Sequence, residues 1–422
     1  MSRTLIKGAA VWDGESPQSR PAEVLVTGNR ITAVGTGIDA PDATVIDGTG
    51  MTLMPGMVEG HCHLSFVGIN TNAELGPIPP EEHLLGTAAN ARLVLQHGFT
   101  SAYSAASAKA RLDIAIRDAI NSGLIVGPRM RAASPEITAT GGLGDERKLH
   151  FYQESFGAIV DGPIEMRRMC RTFVREGVDN LKVNISGDEF VSNARAEITT
   201  LQADEIAAAV EVAHAFGKQI ACHARSSQSV KLAVRGGIDC IYHCDFADEE
   251  ALDLLEENKD RIFVGPAFGL VHNSVYEGER VGMTREVVER MGLYRKFDHT
   301  CATYHEIRKR GIRVVVGGDY GFSITPMGQN ARDIAHFVKF FGYSPSEALQ
   351  CATRVGGELM GLDIGLVKEG YLADLLLVRG DVLADVSLVQ KRENFALIMK
   401  DGVIYKGPQG GAMDSGLMVA AE

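Results

Sequence analysis

The stretch MPGMVEGHCHLSF, Met54 to Phe66, carries an apolar, strand-like run that ends on two histidines one residue apart, His61 and His63. Side chains alternate faces along a strand, so these two imidazoles point one way and Cys62 the other. Two imidazoles converging on one point suggest a metal. The same placement of ligand-type residues at strand ends recurs downstream and sets the fold class.

From Val58 to Leu359, apolar strand-like runs alternate with amphipathic helical windows. Strands are expected at VEGHCH, TSAYSA, RMRAAS, NLKVNI, QIACHA, CIYHCD, FVGPAF and RVVVGGD, with helix-period segments such as LDIAIRDAINSG, IEMRRMCRTFVREG and ADEIAAAVEVAHAFG between them. Thr284 to Arg310 and Ala331 to Phe341 supply the last two helices. Eight strands alternating with helices over about 300 residues fit a (β/α)8 TIM-like barrel, whose usual size is about 250 before insertions. A doubly wound open sheet is the alternative, and the polar residues disfavour it by gathering on one rim. His61 and His63 end strand one, Lys182 sits in strand four, His223 ends strand five, His243 ends strand six and Asp319 ends strand eight. Barrel enzymes build their active sites on that rim.

The two ends of the chain have another texture. TLIKGAAVW, EVLVTGN, RITAVG, ATVIDG and MTLMPG near the start, and ADLLLVRGD and FALIMKDGVIYKG near the end, read as short strands between turns. They are expected to form one small β-sandwich domain from residues 1–57 and 360–422, with the barrel, 58–359, inserted between its halves. The tail GPQGGAMDSGLMVAAE is small, Gly-rich and expected to be mobile.

Composition narrows the function classes. Hydrophobic residues at 45% and charged residues at 23% are ordinary for a soluble globular protein. The formal charge of -12, from 54 acidic against 42 basic side chains, comes with no Lys/Arg cluster to track phosphates, so no nucleic-acid partner is expected. No apolar run approaches about 18 residues and the start lacks the apolar core of a secretory signal, so no membrane partner and a cytoplasmic location are expected. Seven cysteines without a CxxC pair argue against a disulfide framework, and Cys62, Cys222, Cys240 and Cys244 read as small buried hydrophobes. The glycine-rich TATGGLGDE lacks the features of a nucleotide loop and reads as a long loop after strand three.

One histidine on an apolar face is more often a satisfied core residue than a ligand. Five strands that each place a ligand-type residue at one level of a barrel reverse that reading. Histidine and carboxylate are the ordinary ligands of a catalytic zinc, with positions left open for water and substrate. Lys182 is the odd member, since a lysine with its ordinary pKa of about 10.4 is a cation and would repel a metal. Either it is a structural or substrate-binding cation, or its amine has reacted with carbon dioxide to give a carbamate able to bridge two metals. Its central place among four histidines favours the carbamate.

These residues resemble the amidohydrolase superfamily: HxH after strand one (His61, Cys62, His63), a carbamylated lysine in strand four (Lys182), single histidines after strands five and six (His223, His243), and an aspartate after strand eight (Asp319). The β domain made from both termini and the run ADLLLVRGD also look like that family's. The likeness is strongest to its binuclear zinc branch of Xaa-Pro dipeptidase-like and imidazolonepropionase-related enzymes. It implies two divalent metals, with zinc the first choice: one held by His61, His63 and Asp319, one by His223 and His243, and the Lys182 carbamate between them. Asp319 would serve as general base and then general acid.

The reaction implied is hydrolysis of the amide in an N-acyl or aminoacyl L-amino acid, in the manner of a carboxypeptidase, with ochratoxin A, cleaved to ochratoxin alpha and L-phenylalanine, as one expected substrate. A homo-oligomer, an octamer by resemblance, is expected. Two positions depart from the branch, where TGGHGD and HAY are usual: Leu143 stands in TGGLGD and Arg225 in HARS. Arg225, His150 and His272 are candidates to meet a substrate carboxylate, and Phe66, Phe151, Tyr152 and Phe322 to wall a pocket for a bulky side chain, in loops Leu64 to Pro80, Ile137 to Val160, Ala224 to Ser229 and Phe268 to Met283. A cyclic-amide hydrolase or deaminase is the alternative, a lactonase would share the site, and a non-catalytic scaffold is the remote one.

Overall fold

The strand Met57–Cys62 is buried along its whole length and pairs in parallel with Phe99–Ser104, which pairs in parallel with Arg129–Arg131. After Ala132 the chain continues as Ala133–Thr138 in a second parallel sheet. Its order is Ala158–Ile159, Ala133–Thr138, Asn180–Asn184, Gln219–Ser226, Cys240–Phe246 and Phe263–Gly265. Parallel strands covered on both faces are apolar almost throughout, which is why these segments read as continuous hydrophobic runs. The protein is thus a mixed α/β fold, seen in a computed structural model that describes residues 2–408 and 410–413.

The last expected strand, RVVVGGD, differs from expectation. Among the described residues it forms no ladder, only one parallel bridge between Val314 and Val264. Backbone bonds nevertheless attach it on both sides: Val315 N–H donates to Val264 O at 2.9 Å, and Gly60 N–H donates to Val316 O at 2.8 Å. Gly317, Gly318 and the left-handed Asp319 (φ 60°) then turn the chain out of extended geometry. The stretch from Phe268, expected to be loop, opens with a helix, Phe268–Tyr276. Between Thr284 and Arg310 there are two helices, Arg285–Met291 and Leu293–Lys309, divided at Gly292 (φ 75°).

The ends of the chain meet in two further sheets. One is Arg30–Gly35, Glu23–Thr27, Arg3–Lys7 and Thr44–Asp47 in that order. The other runs Val403–Lys406, Phe395–Lys400, Leu375–Arg379, Met51–Pro55, Ala10–Val11 and Arg20–Pro21. Leu375–Arg379 lies antiparallel to Met51–Pro55, so strands more than three hundred residues apart are neighbours. Ile6, Val24, Ile31, Leu53, Leu377 and Leu397 share one buried cluster between these sheets.

The start of the C-terminal tail is hydrogen-bonded to the strand before it: Ala412 N–H bonds Ile404 O, Met413 N–H bonds Tyr405 O, and Met413 is buried. Residues 414–422 lie outside the described residues. No described helix is long and apolar enough to cross a membrane. The seven cysteines are free, and Cys62, Cys222, Cys240 and Cys244 are buried.

Candidate metal centre

Two glycine contacts bring the first and last parts of the site together. A Cβ on Gly60 would lie 2.8 Å from Val315 Cβ, and one on Gly317 would lie 2.4 Å from His61 Cβ and 2.5 Å from His61 N. Only bare backbone allows this approach, and it delivers Asp319 to the paired histidines. Asp319 Oδ1 is 3.2 Å from His63 Nε2 and 3.6 Å from His61 Nε2, and the two Nε2 atoms are 3.2 Å apart. All three residues are buried. Asp319 and His243 (φ 81°) both hold left-handed backbone, a conformation that costs free energy and gathers at functional sites.

The ring tautomers follow from the hydrogen bonds. His63 Nδ1 is 3.2 Å from Ala106 O, so Nδ1 carries the proton and Nε2 offers its lone pair toward Asp319. His223 Nε2 is 2.9 Å from Gly187 O, which leaves Nδ1 as the free lone pair. His61 Nδ1 and His243 Nδ1 are buried without a hydrogen-bond partner. Burial holds the His61, His223 and His243 imidazoles well below the ordinary histidine value. Burial pushes the Asp319 carboxyl up, but His61 and His63 facing it outweigh this and pull it below the usual carboxylate range. Lone pairs and a carboxylate packed this closely need a cation among them. The donor set therefore fits a divalent metal, and His, His and Asp are standard ligands for one.

The remaining expected residues adjoin this group. The His243 ring lies 5.4 Å from that of His61 and 4.2 Å from that of His223. Lys182 is 1% exposed; its Nζ lies 3.8 Å from Glu136 Oε1 and 5.3 Å from the centre of the Tyr242 ring. Tyr242 supports the site from below, stacking 4.0 Å from the His61 ring and donating to Gly60 O at 2.7 Å. His61, His63, Lys182, His223, His243 and Asp319 all line one cavity of about 430 Å³. Phe66, Phe190, Leu143, Met283, Met291 and Phe322 give it a largely apolar wall.

Three carboxylates of the lining are additional to the sequence reading. Glu136 lies within the Ala133–Thr138 strand, two residues before its end, and accepts from Asn184 Nδ2 at 2.5 Å. Glu146, in the TATGGLGDE loop, has a buried Oε2 without a partner, and burial beside Glu136 pushes its carboxyl up to about 7. Asp188 follows the Lys182 strand; burial would raise its carboxyl, but Arg225 and Lys296 bring it down to about 2. The rim rule that picked out the histidines applies equally to Glu136 and Asp188, and would have found them.

The three candidates for gripping a substrate carboxylate lie elsewhere. Arg225 is fully buried behind His223, donating through Nε to Asp188 Oδ2 at 2.6 Å and through Nη1 to Asp245, so its fork is already occupied by carboxylates. His272 stacks on His336 at 4.3 Å and bonds Asn273, on the far side of its helix from the lining residue Leu270. His150 is exposed and packs against Phe151. Phe66 and Phe322 do line the cavity, whereas Phe151 and Tyr152 are exposed outside it.

The chain is similar to known proteins over most of its length. The amidohydrolase family profile matches residues 52–405. The ochratoxinase of Aspergillus niger is 25% identical over 432 residues, covering 96% of this chain and 87% of that protein. Its crystal structure superposes with a TM-score of 0.84 over 96% of each chain, at 22% identity, a likeness of fold. A Xaa-Pro dipeptidase crystallised with methionine in its active site superposes with a TM-score of 0.86 at 27% identity, covering 96% of this chain and all of that one.

Proposed function

The chain belongs to the amidohydrolase family, a hydrolase of amide carbon–nitrogen bonds, and from that premise we propose that it cleaves the amide of a small N-acyl or aminoacyl L-amino acid with the help of two divalent metals, zinc first among them. The observation that carries this reading is the convergence of His61, His63, Lys182, His223, His243 and Asp319 on one cavity. His61, His63 and Asp319 would hold one metal, and His223 and His243 the other, with the Lys182 amine, as its carbamate, between them. Such metals, when bound, supply an acidified water and polarise the carbonyl under attack.

The chain's own residues do the rest. The ionised Asp319 accepts the proton of the attacking water and returns it to the leaving amine, the ordinary division of base and acid. His63 and His223 stay oriented because Ala106 O and Gly187 O fix their tautomers. The apolar wall takes the bulky half of the substrate, and Phe66 and Phe322, 5.3 Å apart in a T-shaped pair, suit an aromatic side chain. This supports a phenylalanine amide such as ochratoxin A as the finer choice.

We read the parallel strands and the 312–316 segment as a (β/α)8 barrel, residues 58–359, and the terminal sheets as a β-sandwich formed by residues 1–57 and 360–422. Support for closure comes from the Val264 to Val314 bridge and the Gly60 to Val316 hydrogen bond. A cytoplasmic homo-octamer completes the reading, and light scattering on the purified chain tests the assembly. The reaction is tested by following free L-phenylalanine released from ochratoxin A and from N-acyl-L-phenylalanines, beside a cyclic amide and a deaminase substrate. Turnover of the last two alone would overturn the substrate assignment.

A further inference from the structure

Ser186, Gly187 and Asp188 follow the strand that carries Lys182, and each meets the end of the strand that carries His223. Arg225 N–H donates to Ser186 Oγ at 2.8 Å, His223 Nε2–H donates to Gly187 O at 2.9 Å, and Arg225 Nε–H donates to Asp188 Oδ2 at 2.6 Å. A third segment joins through Asp245, two residues beyond His243, which accepts from Arg225 Nη1 and from Thr300 Oγ1 at 2.8 Å. One buried guanidinium therefore ties together the three segments that present Lys182, His223 and His243. Gly187 is fixed in this role, since a Cβ there would fall 1.8 Å from Ala194 O.

The two carboxylates on Arg225 are not equivalent. Asp245 is fully buried and absent from the cavity lining, whereas Asp188 lines the cavity and reaches to 3.9 Å from His223 Nε2. Arg225 and Lys296 face three carboxylates, Asp188, Asp245 and Glu189, with Lys296 Nζ 2.6 Å from Glu189 Oε2. The cluster therefore carries one more negative than positive charge, and Asp188 is the carboxylate of it that lines the cavity. Asp188 is itself partnered, by Arg225 through Oδ2 and by Phe190 N–H at 3.1 Å through Oδ1, so what it presents to a cation in the cavity is the net charge of the cluster.

We propose that Asp188 is a further functional carboxylate of this site, with Arg225 as its positioning residue, and that it strengthens cation binding on the His223 and His243 side. The proposal rests on the metal-dependent reading above. It also gives Arg225, where the branch usually has tyrosine, a structural purpose.

Asp188→Asn keeps the size of the side chain and an oxygen to accept from Arg225, and removes only the charge. Asp245→Asn removes the same charge from the same guanidinium on the side away from the cavity. Zinc titration against a competing chelator is expected to show one of two equivalents weakened by about 10- to 100-fold in D188N, and both within threefold of the unsubstituted protein in D245N. Equal weakening in both variants, or full affinity in D188N, overturns the proposal. No zinc binding by the unsubstituted protein would instead sink the metal-dependent reading itself. Should D188N not fold, anomalous diffraction from zinc-loaded crystals of the unsubstituted protein decides: an ion beside His223 and His243 with the Asp188 carboxylate next to it is expected, and an ion there with Asp188 turned away overturns it.

Discussion

Gly317 touches His61 so closely that a methyl group on it would lie 2.4 Å from His61 Cβ, with Glu59 Oε1 at 2.7 Å behind. The backbone of one segment is thereby pressed against the first metal-type ligand of another, and Asp319 follows two residues later. Gly317→Ala must push these segments apart. Overpacking of this kind costs about 1–3 kcal/mol, and here the displacement falls on the site. Calorimetry should show the loss of stability, and zinc titration a weakened equivalent; an unchanged zinc isotherm would mean that the contact does not set the ligand geometry.

Asp319→Asn removes the carboxylate that faces both imidazoles while keeping its shape. Activity should drop by about 10²- to 10⁴-fold, the usual worth of a positioned acid or base. The metal-free variant should also unfold earlier than its parent at neutral pH, because a carboxyl held below its ordinary range is one the folded state favours in its charged form. Steady-state kinetics with circular dichroism melts separate the two effects, and an active D319N would exclude this residue as the proton carrier.

The ligand-type residues were legible because they obey two local rules at once: they end apolar runs, and they alternate out of the core face. His61, His63 and His223 follow both rules, whereas His243 and Asp319 only close apolar runs, since both sit in left-handed backbone, and Lys182 stands out as the one charge in its strand. Arg225 was misread for the opposite reason. Sequence shows that it follows His223 by two residues, but its partners Asp188 and Asp245 come from other segments, and only the folded chain brings those carboxylates to it. The segment RVVVGGD was legible as extended because VVV favours extended backbone, whereas the Gly317-Gly318-Asp319 turn that ends it and leaves a single bridge in place of a ladder was not. His272 was assigned to a loop, and the helix Phe268–Tyr276 turns it outward onto His336.

The pH dependence of stability carries a signature of Glu59, which is buried beneath the site and accepts from Asn330 Nδ2 at 2.9 Å. Burial pushes its carboxyl up to about 8. The folded state therefore holds a proton that the unfolded chain releases near the ordinary value of 4.5, so this group's contribution to stability falls as pH rises from about 4.5 to about 8. Glu59→Gln, which mimics the protonated form, should gain on its parent progressively across that window. Melting temperatures of the metal-free proteins at pH 5 and pH 8 test the sign: an advantage of E59Q that is larger at pH 5 would contradict it.

Substrate charge gives another check. Among the described lining residues Lys182 is the one lysine or arginine, and as a carbamate it too is anionic, while Glu136, Glu146, Asp188 and Asp319 are carboxyl groups. A charged hydrogen bond to a substrate carboxylate is worth about 1.5–3 kcal/mol, and Arg225, His150 and His272 do not reach the cavity to make one. Converting the free acid of an N-acyl-L-phenylalanine to its primary carboxamide should change kcat/KM by less than about tenfold. A loss of several hundredfold, read from initial rates on the two compounds, would reveal a carboxylate grip within the cavity.

The most direct measurement is the rate of L-phenylalanine release by metal-free protein as zinc is added back, in the parent chain and in Lys182→Ala. Metal-assisted amide hydrolysis predicts no release without metal, a rise that levels off at two equivalents per chain, and no recovery in K182A at any zinc concentration. Full activity in the metal-free protein, or in K182A, would contradict it.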